Sequence, residues 1–163
     1  YCPHCLRFEP FMEQVKKGLP EGVKFERNHV DFLRAASPKV QAMLTKSVVV
    51  AEQLGMGDKL VTAIFNYIQV QKAVVTSEKD IRNIFVLNGA DGKKFDKLMK
   101  SFSVNSKAKF MKKSQDNMAK KGALKGVPTM IVNGKYRINT QELDRNNFEQ
   151  DYQDLIKHLL TLK

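Results

Sequence analysis

The first five residues hold the side chains best suited to chemistry, because Cys2 and Cys5 flank Pro3 and His4 and are the only cysteines in the chain. Two thiols separated by two residues can close on each other within one helical turn, which suits a disulfide that is made and broken repeatedly. Such a short loop suits a structural cross-link poorly, since the loop-entropy relation gives only about 2 kcal/mol of stabilisation. The spacing therefore indicates redox chemistry.

The residues around the two cysteines predict which one attacks. Cys2 falls at the start of a predicted helix, where unpaired backbone N–H groups and the helix dipole favour a negative charge, and Pro3 suits the first helical turn. A protonated His4 would add a second stabilising charge. We expect these influences to lower the pKa of Cys2 and to make its disulfide form oxidising. Cys5 lies one turn further in, and we expect it to be less exposed and to act as the resolving thiol.

Three other interpretations of the cysteine pair compete with redox chemistry, and one of them, haem attachment, is set aside. A structural zinc site needs about four ligands, and His4 is too close to share one metal comfortably with both cysteines, while His29 and His158 are isolated in the sequence. Haem attachment needs a histidine directly after the second cysteine, where this chain has Leu6. The third interpretation is a pair of inert thiols in a reduced cytosol, although the scarcity of cysteine argues against chance.

The elements that must position this pair begin with a helix and a strand. One apolar stripe predicts a helix over residues 3–19, and β-forming residues predict a strand over Val23–Phe32. Periodic apolar sets then predict several helices between residues 38 and 122. One of these helices begins with a capping pattern at Ser77 and Asp80.

The pattern changes after residue 122. Asn133 and Gly134 lie between two short apolar runs, which is the strongest short signal for a β-hairpin. A last helix is predicted from about Asn146. A strand, a hairpin and flanking helices make an α/β sandwich, so the helical block between them is interpreted as an insertion.

Composition and charge limit the classes of function. The chain has 163 residues, 42% of them hydrophobic, which is enough for one domain with a real core and an insertion. No apolar run approaches the roughly 18 residues that span a bilayer, and no leader peptide is visible. Neither membrane insertion nor a cleavable signal is therefore expected within this chain.

Most of the net charge of +11 is local, because eleven lysines and only two aspartates lie between Lys93 and Lys125. A basic stripe can bind nucleic acid or anionic lipid. The stretch lacks arginine, and Phe95, Phe102 and Phe110 fall at a spacing typical of a helical core. We therefore interpret the lysines as a solvated face and expect no nucleic-acid partner, with a polyanion site as the alternative.

Three stretches of the chain together resemble the DsbA group of thioredoxin-fold thiol:disulfide oxidoreductases. They are Tyr1–Cys5 with Phe8 and Glu9, Leu19–Lys24 with His29 and Val30, and Gly126–Pro128 with Val132–Tyr136. The resemblance covers essentially the whole chain, including the position of the long helical insertion. It implies a thioredoxin-like domain over residues 1–34 and 123–163 and an inserted helical subdomain over residues 35–122.

The resemblance also assigns roles to individual residues. It implies that Cys2 forms the mixed disulfide with a substrate and that Cys5 resolves it. It implies that Val127 and Pro128 face the disulfide, bind substrate and are joined by a cis peptide bond. Without the resemblance, Pro128 would be interpreted as an ordinary proline at the start of an edge strand.

Charged residues near the pair are further candidates. Glu9 and Arg27 resemble members of a buried charged set that tunes the pKa values of the cysteines in this family, with solvated positions as the alternative. His29 is interpreted as a hydrogen-bonded core histidine rather than a catalytic base. Relatives also carry N-terminal strands that lead into the aromatic residue before the first cysteine. This sequence begins at Tyr1, so we expect those strands to be missing from its sheet.

The expected function is therefore that of a periplasmic dithiol oxidase, working as a monomer without a cofactor or metal. The resemblance implies reduced, unfolded secreted polypeptides as substrates and a membrane quinone-linked reoxidase of the DsbB type as a partner. Two alternatives are kept. One is a disulfide isomerase or reductase on the same fold, and the other is a non-catalytic peptide-binding chaperone module.

Overall fold

A computed structural model describes residues 1–162, which form two compact units. The helical unit comprises Tyr1 and Arg27–Lys120, and the cysteine unit comprises Cys2–Glu26 and the residues from Lys121 onwards. The domain boundaries after residues 34 and 122 stay a prediction. Within residues 1–162 the α-helices are α1 Pro3–Lys17, α2 Pro38–Gln53, α3 Gly57–Phe65, α4 Glu78–Leu87, α5 Gly92–Lys100, α6 Phe102–Lys120 and α7 Phe148–Thr161.

The helical unit holds α2 to α6 around one apolar core. Leu60, Ile81, Phe85 and Phe95 are completely buried there. The rings of Phe85 and Phe95 meet edge to face, with their centroids 5.0 Å apart. Helix α3 continues into a π-helical turn at Asn66–Val70. The periodic apolar sets of the sequence thus correctly predict a helical block in this region.

The capping pattern at the start of α4 is confirmed. The carboxylate of Asp80 accepts hydrogen bonds at 2.9 Å from the backbone N–H groups of Thr76 and Ser77. These bonds favour the ionised carboxylate and lower the pKa of Asp80 to about 2. Local sequence therefore fixes where α4 begins.

The predicted strand over Val23–Phe32 is wrong, since residues 23–30 carry no regular secondary structure. A strand exists through its hydrogen-bond ladder, whereas the N–H of Val23 bonds back to the carbonyl of Pro20 at 3.2 Å and side chains bind the backbone where the segment ends. The N–H of Asp31 donates to Gln115 Oε1 at 2.8 Å, and the N–H of Leu33 donates to Gln41 Oε1 at 3.0 Å. Both glutamines are buried, so two side chains satisfy backbone donors at the C-terminal end of the segment and just beyond it.

The cysteine unit is built from α1, a β-hairpin and α7. The hairpin pairs β1, Ile131–Val132, with β2, Tyr136–Arg137, in an antiparallel register. Its turn holds three residues, Asn133, Gly134 and Lys135. Asn133 and Gly134 have φ angles of 54° and 67°, the positive values that favour Asn-Gly in hairpin turns, and the N–H of Lys135 donates to the carbonyl of Val132 at 3.1 Å. The hairpin prediction is therefore confirmed. A short 3₁₀ helix at Thr140–Glu142 follows.

An aromatic cluster joins α1 to α7 within the cysteine unit. The ring of Phe11 lies 5.2 Å from that of Tyr152, and the ring of Phe8 lies 5.8 Å from it. Tyr152 is almost fully buried. Edge-to-face pairs of this kind stabilise a core beyond the area they bury, so the helix that begins at the cysteines has a fixed support.

Two phenylalanines of the lysine-rich stretch do not lie in the core, which corrects the interpretation of their spacing. Phe95 is fully buried, but Phe102 is 87% exposed and Phe110 is 59% exposed. Helix α6 instead buries Val104 and Met111, which lie on its opposite side. Among residues 1–162, no helix has both the length and the apolar character needed to cross a bilayer.

Candidate active site

The site is centred on the first turn of α1. Cys2 is the N-cap residue and Pro3 occupies the first helical position, where its missing N–H costs nothing. Cys2 and Cys5 form a disulfide with their Cα atoms 5.2 Å apart. The N–H of Cys5 donates to Cys2 Sγ at 3.0 Å. One of the unpaired N–H groups at the start of the helix is thus aimed at the sulfur of Cys2.

A loop from the far end of the chain closes the other side of Cys2. Cys2 Sγ lies 3.7 Å from the carbonyl oxygen of Val127. The peptide bond between Val127 and Pro128 is cis, as the resemblance implied. Thr129 Oγ1 donates to the carbonyl of Gly126 at 2.7 Å, which fixes the loop from within. Residues 125 positions apart therefore share one site.

The relative exposure of the two cysteines is the reverse of the prediction. Cys2 is 8% exposed and counts as buried, whereas Cys5 is partly exposed. Position along α1 alone predicts that Cys5 is the deeper of the two cysteines. The order is reversed because the carbonyl of Val127 approaches Cys2 in the folded chain.

His4 has a partner that the sequence argument missed. Arg7 Nη2 lies 2.8 Å from His4 Nδ1, and both side chains are exposed. A guanidinium can only donate, so Nδ1 accepts in this bond. Arg7 thus brings a positive charge to the turn that holds His4. The spacing of three residues on one helix was the available signal.

The two candidate pKa-tuning residues lie in different units. Glu9 is a partly buried residue of α1 in the cysteine unit. Arg27 belongs to the helical unit, where its guanidinium lies 3.4 Å from the carboxylate of Asp58. Their tuning role stays a prediction.

His29 is hydrogen-bonded, as predicted, and it is partly rather than fully buried. Its Nδ1 lies 2.8 Å from Thr45 Oγ1, and that hydroxyl donates to the carbonyl of Gln41 at 3.0 Å. The hydroxyl has one proton, so His29 donates from Nδ1. Burial lowers the pKa of His29 to about 4, against a smaller opposing effect of Asp31. His29 is therefore neutral at pH 7.

An open depression of about 380 Å³ lies beside Pro128 in the cysteine unit. Two cationic side chains, Lys125 and Arg137, contribute to its lining together with Thr129 and Gln141. Sequence reasoning did not single out these residues, because their proximity depends on the hairpin folding back towards the Val127–Pro128 loop. An extended peptide that reaches Cys2 past this loop would find polar side chains next to it.

A family model, the DSBA-like thioredoxin domain, matches residues 1–153. The chain belongs to this family. The thiol:disulfide interchange protein DsbA of Salmonella typhimurium strain LT2 is 39% identical over 100% of the chain and 77% of its own length. DsbA of Escherichia coli strain K12 is 38% identical over 98% of the chain and 76% of its own length.

The fold agrees with that of the family. A serine variant of Proteus mirabilis DsbA, solved with a non-covalently bound peptide PWATCDS, superposes with a TM-score of 0.87 at 30% identity. The match covers 99% of this chain and 85% of that one. The α/β thioredoxin-like fold with added helices is thus confirmed, and the chain is a protein disulfide oxidoreductase.

Proposed function

We propose that this protein oxidises reduced, unfolded secreted polypeptides in the periplasm by donating the Cys2–Cys5 disulfide through a mixed disulfide at Cys2. One observation carries the proposal. Cys2 Sγ accepts the N–H of Cys5 at 3.0 Å and lies 3.7 Å from the carbonyl of Val127. The same sulfur is thus placed both to hold a negative charge and to meet a chain bound along the Val127–Pro128 loop.

The reaction proceeds in two thiol–disulfide exchanges. A substrate thiolate attacks Cys2 Sγ, the Cys2–Cys5 bond breaks, and Cys5 leaves as a thiolate. A second substrate thiolate then attacks the substrate sulfur of the mixed disulfide, and Cys2 leaves as a thiolate. Two substrate thiols lose two electrons and two protons in all, and the electrons reduce the Cys2–Cys5 pair.

We expect the reaction to run in the oxidising direction because the Cys2 thiolate is better stabilised than an ordinary cysteine thiolate. A thiolate at a helix N-cap gains from the N–H groups and from the helix dipole. A lower pKa makes Cys2 a better leaving group and favours the reduced protein. Pro3 and His4 belong to this turn, and the Arg7 guanidinium adds a positive charge one turn further along α1.

Val127 and Pro128 provide the substrate-binding wall of the proposed site. Val127 is partly buried and Pro128 is exposed, so an extended peptide can approach the backbone of the loop and pair with it as an added strand. The related Proteus mirabilis protein binds a cysteine-containing peptide, which supports a peptide substrate here.

The proposed compartment and partners come from the family. Disulfides form and persist in oxidising compartments such as the periplasm, and the curated relatives are thiol:disulfide interchange proteins. Catalytic turnover needs an oxidant, for which we propose a membrane quinone-linked reoxidase of the DsbB type. We further propose that the protein acts as a monomer.

A pair of serine variants tests this function. Incubation with a peptide that contains two cysteines should give an oxidised peptide with the unaltered protein. Given the disulfide-linked dimer of a one-cysteine peptide, Cys5→Ser should accumulate a covalent complex, because the Cys2 thiolate attacks the peptide disulfide, one peptide leaves as a thiolate, and no Cys5 thiol remains to release the other. Cys2→Ser should neither oxidise the reduced peptide nor trap the dimer. A trapped complex with Cys2→Ser but none with Cys5→Ser would reverse the assignment of the two cysteines.

Equilibration with glutathione tests whether the protein works as an oxidase or as a reductase. We expect a reduction potential closer to the about −120 mV of DsbA than to the about −270 mV of thioredoxin. A value near that of thioredoxin would favour a reductase. Peptide binding that survives in Cys2→Ser, with no oxidation by the unaltered protein, would favour a chaperone module.

A further inference from the structure

The outer face of α6 presents two exposed phenylalanines and three exposed lysines. This face comprises Phe102, Lys109, Phe110, Lys113 and Lys120. The chemistry of the cysteine pair makes no use of it. Exposed apolar side chains that are rimmed by polar residues are typical of protein and membrane interaction surfaces.

Helix geometry puts these side chains on one side. An α-helix turns by about 100° and rises by about 1.5 Å per residue. The three lysines therefore point within about 20° of the direction of Phe102, and Phe110 lies about 80° from it and about 12 Å along the axis. The buried Val104 and Met111 lie on the opposite side, so the outer face points away from the core of the helical unit.

The charge of this face is only partly offset by the fold, since the carboxylate of Asp116 interacts electrostatically with Lys120. Within residues 1–162 none of Lys109, Lys113 and Lys120 forms an ion pair. The carboxylate at the edge of the face is Asp116, and it is held by Lys112 at 3.0 Å. A further lysine, Lys107, lies 5.8 Å from the centre of the Phe110 ring. A partner that covers this face must therefore be anionic and must also accept two aromatic rings.

We propose that the outer face of α6 binds the surface of an anionic lipid bilayer. The phenylalanines would enter the boundary between headgroups and acyl chains, and the lysines would contact lipid phosphates. Helices that lie in this boundary use the same residue types. Lysines near an anionic bilayer each add to the attraction. The chain thus attaches to one leaflet without spanning the membrane.

A nucleic acid fits the same face less well. Base readout in a groove depends mostly on arginine and amide side chains, and single strands bind in basic grooves lined by stacking aromatics. The outer face is the convex side of one helix, and the stretch from Lys93 to Lys125 contains no arginine. Two phenylalanines on such a convex surface are better matched to acyl chains than to stacked bases.

Co-sedimentation with vesicles tests the proposal on the whole protein. Vesicles of equal parts phosphatidylglycerol and phosphatidylcholine should bind it, and binding should weaken as salt is raised. The triple variant Lys109→Gln, Lys113→Gln, Lys120→Gln should lose about a hundredfold in affinity, or about fivefold for each lysine. The double variant Phe102→Ser, Phe110→Ser should also lose about a hundredfold in affinity.

A matched control separates this face from net charge alone. Lys39, Lys79 and Lys97 are exposed lysines on α2, α4 and α5, and their replacement by glutamine removes the same total charge. This control should bind vesicles within about twofold of the unaltered protein. Oxidation of a soluble peptide should be unchanged in all three variants, which shows that they are folded.

Three outcomes would overturn the proposal. The first is that the protein binds pure phosphatidylcholine vesicles as well as it binds the anionic vesicles. The second is that the control variant loses as much vesicle affinity as the triple lysine variant does. The third is salt-dependent binding of a DNA duplex, lost in the lysine variant, without any vesicle binding. That last result would assign the face to nucleic acid.

Discussion

The backbone N–H of Cys5 donates a hydrogen bond to Cys2 Sγ at 3.0 Å across the first turn of α1. The bond makes the cysteine side chain the cap of its own helix. A cap that bears a negative charge is stabilised by the helix dipole, so the Cys2 thiolate gains from the bond more than the thiol does. Reduction of the disulfide therefore strengthens the helix cap, because Cys2 Sγ is both the atom that becomes charged and the atom that caps α1.

Arg7 should contribute to this stabilisation. Replacement by glutamine removes the cation that contacts His4 Nδ1 at 2.8 Å. Loss of a nearby positive charge disfavours a thiolate, so the pKa of Cys2 should rise. Arg7 is exposed, and screening should limit the rise to less than about one unit. Thiolate absorbance against pH measures it.

The control for this prediction is Lys17→Gln. Lys17 is an exposed lysine in the last turn of α1, so its loss changes the net charge of the protein equally. Its distance along the helix from Cys2 should leave the pKa of Cys2 unaltered. Equal shifts in the two variants would mean that overall charge, rather than the position of Arg7, is responsible.

Phe95 and Phe102 should differ sharply in their effect on stability. Phe95→Ala empties a fully buried site and should cost about 3–5 kcal/mol of the free energy of unfolding. Phe102 is 87% exposed, and Phe102→Ala should change that free energy by less than about 0.5 kcal/mol. Urea unfolding of both variants provides the comparison. Similar losses would show that Phe102 is a core residue.

His29 should make the stability depend on mildly acidic pH. Its pKa is about 4 in the folded protein and about 6.5 in an unfolded chain. The unfolded state therefore binds more protons between these values, and stability is full above pH 6.5 and falls as the pH drops towards 4. Thermal midpoints at pH 7 and pH 5 should differ by less in His29→Asn than in the unaltered protein.

His158 provides the control for that experiment, because it is exposed near the end of α7. His158→Asn should retain the full difference between the two midpoints. A difference that disappears in His158→Asn but persists in His29→Asn would contradict the assignment to His29.

The parts of the fold that sequence predicts well are determined by local interactions. The capping of α4 needs only Ser77 and Asp80, three residues apart, and the hairpin turn needs only Asn133 and Gly134. The cysteine pair at a helix start is equally local. In each case the physical cause lies within a few residues, so the pattern contains it.

The parts that sequence does not predict depend on distant contacts. The backbone of Asp31 is satisfied by Gln115, 84 residues away, and no local pattern distinguishes this from a strand. The burial of Cys2 depends on Val127 in the same way. The exposure of Phe102 and Phe110 depends on which side of α6 meets the core, and a single helix with apolar residues on two sides leaves that choice open.

The most direct test of the account is the thiolate absorbance of the reduced protein against pH, with Cys5→Ser used to assign the signal to Cys2. The N-cap position and the Cys5 N–H predict a pKa for Cys2 well below the about 8.5 of an ordinary cysteine. A pKa near 8.5 would contradict the account, because the first turn of α1 would then leave the Cys2 thiolate unstabilised.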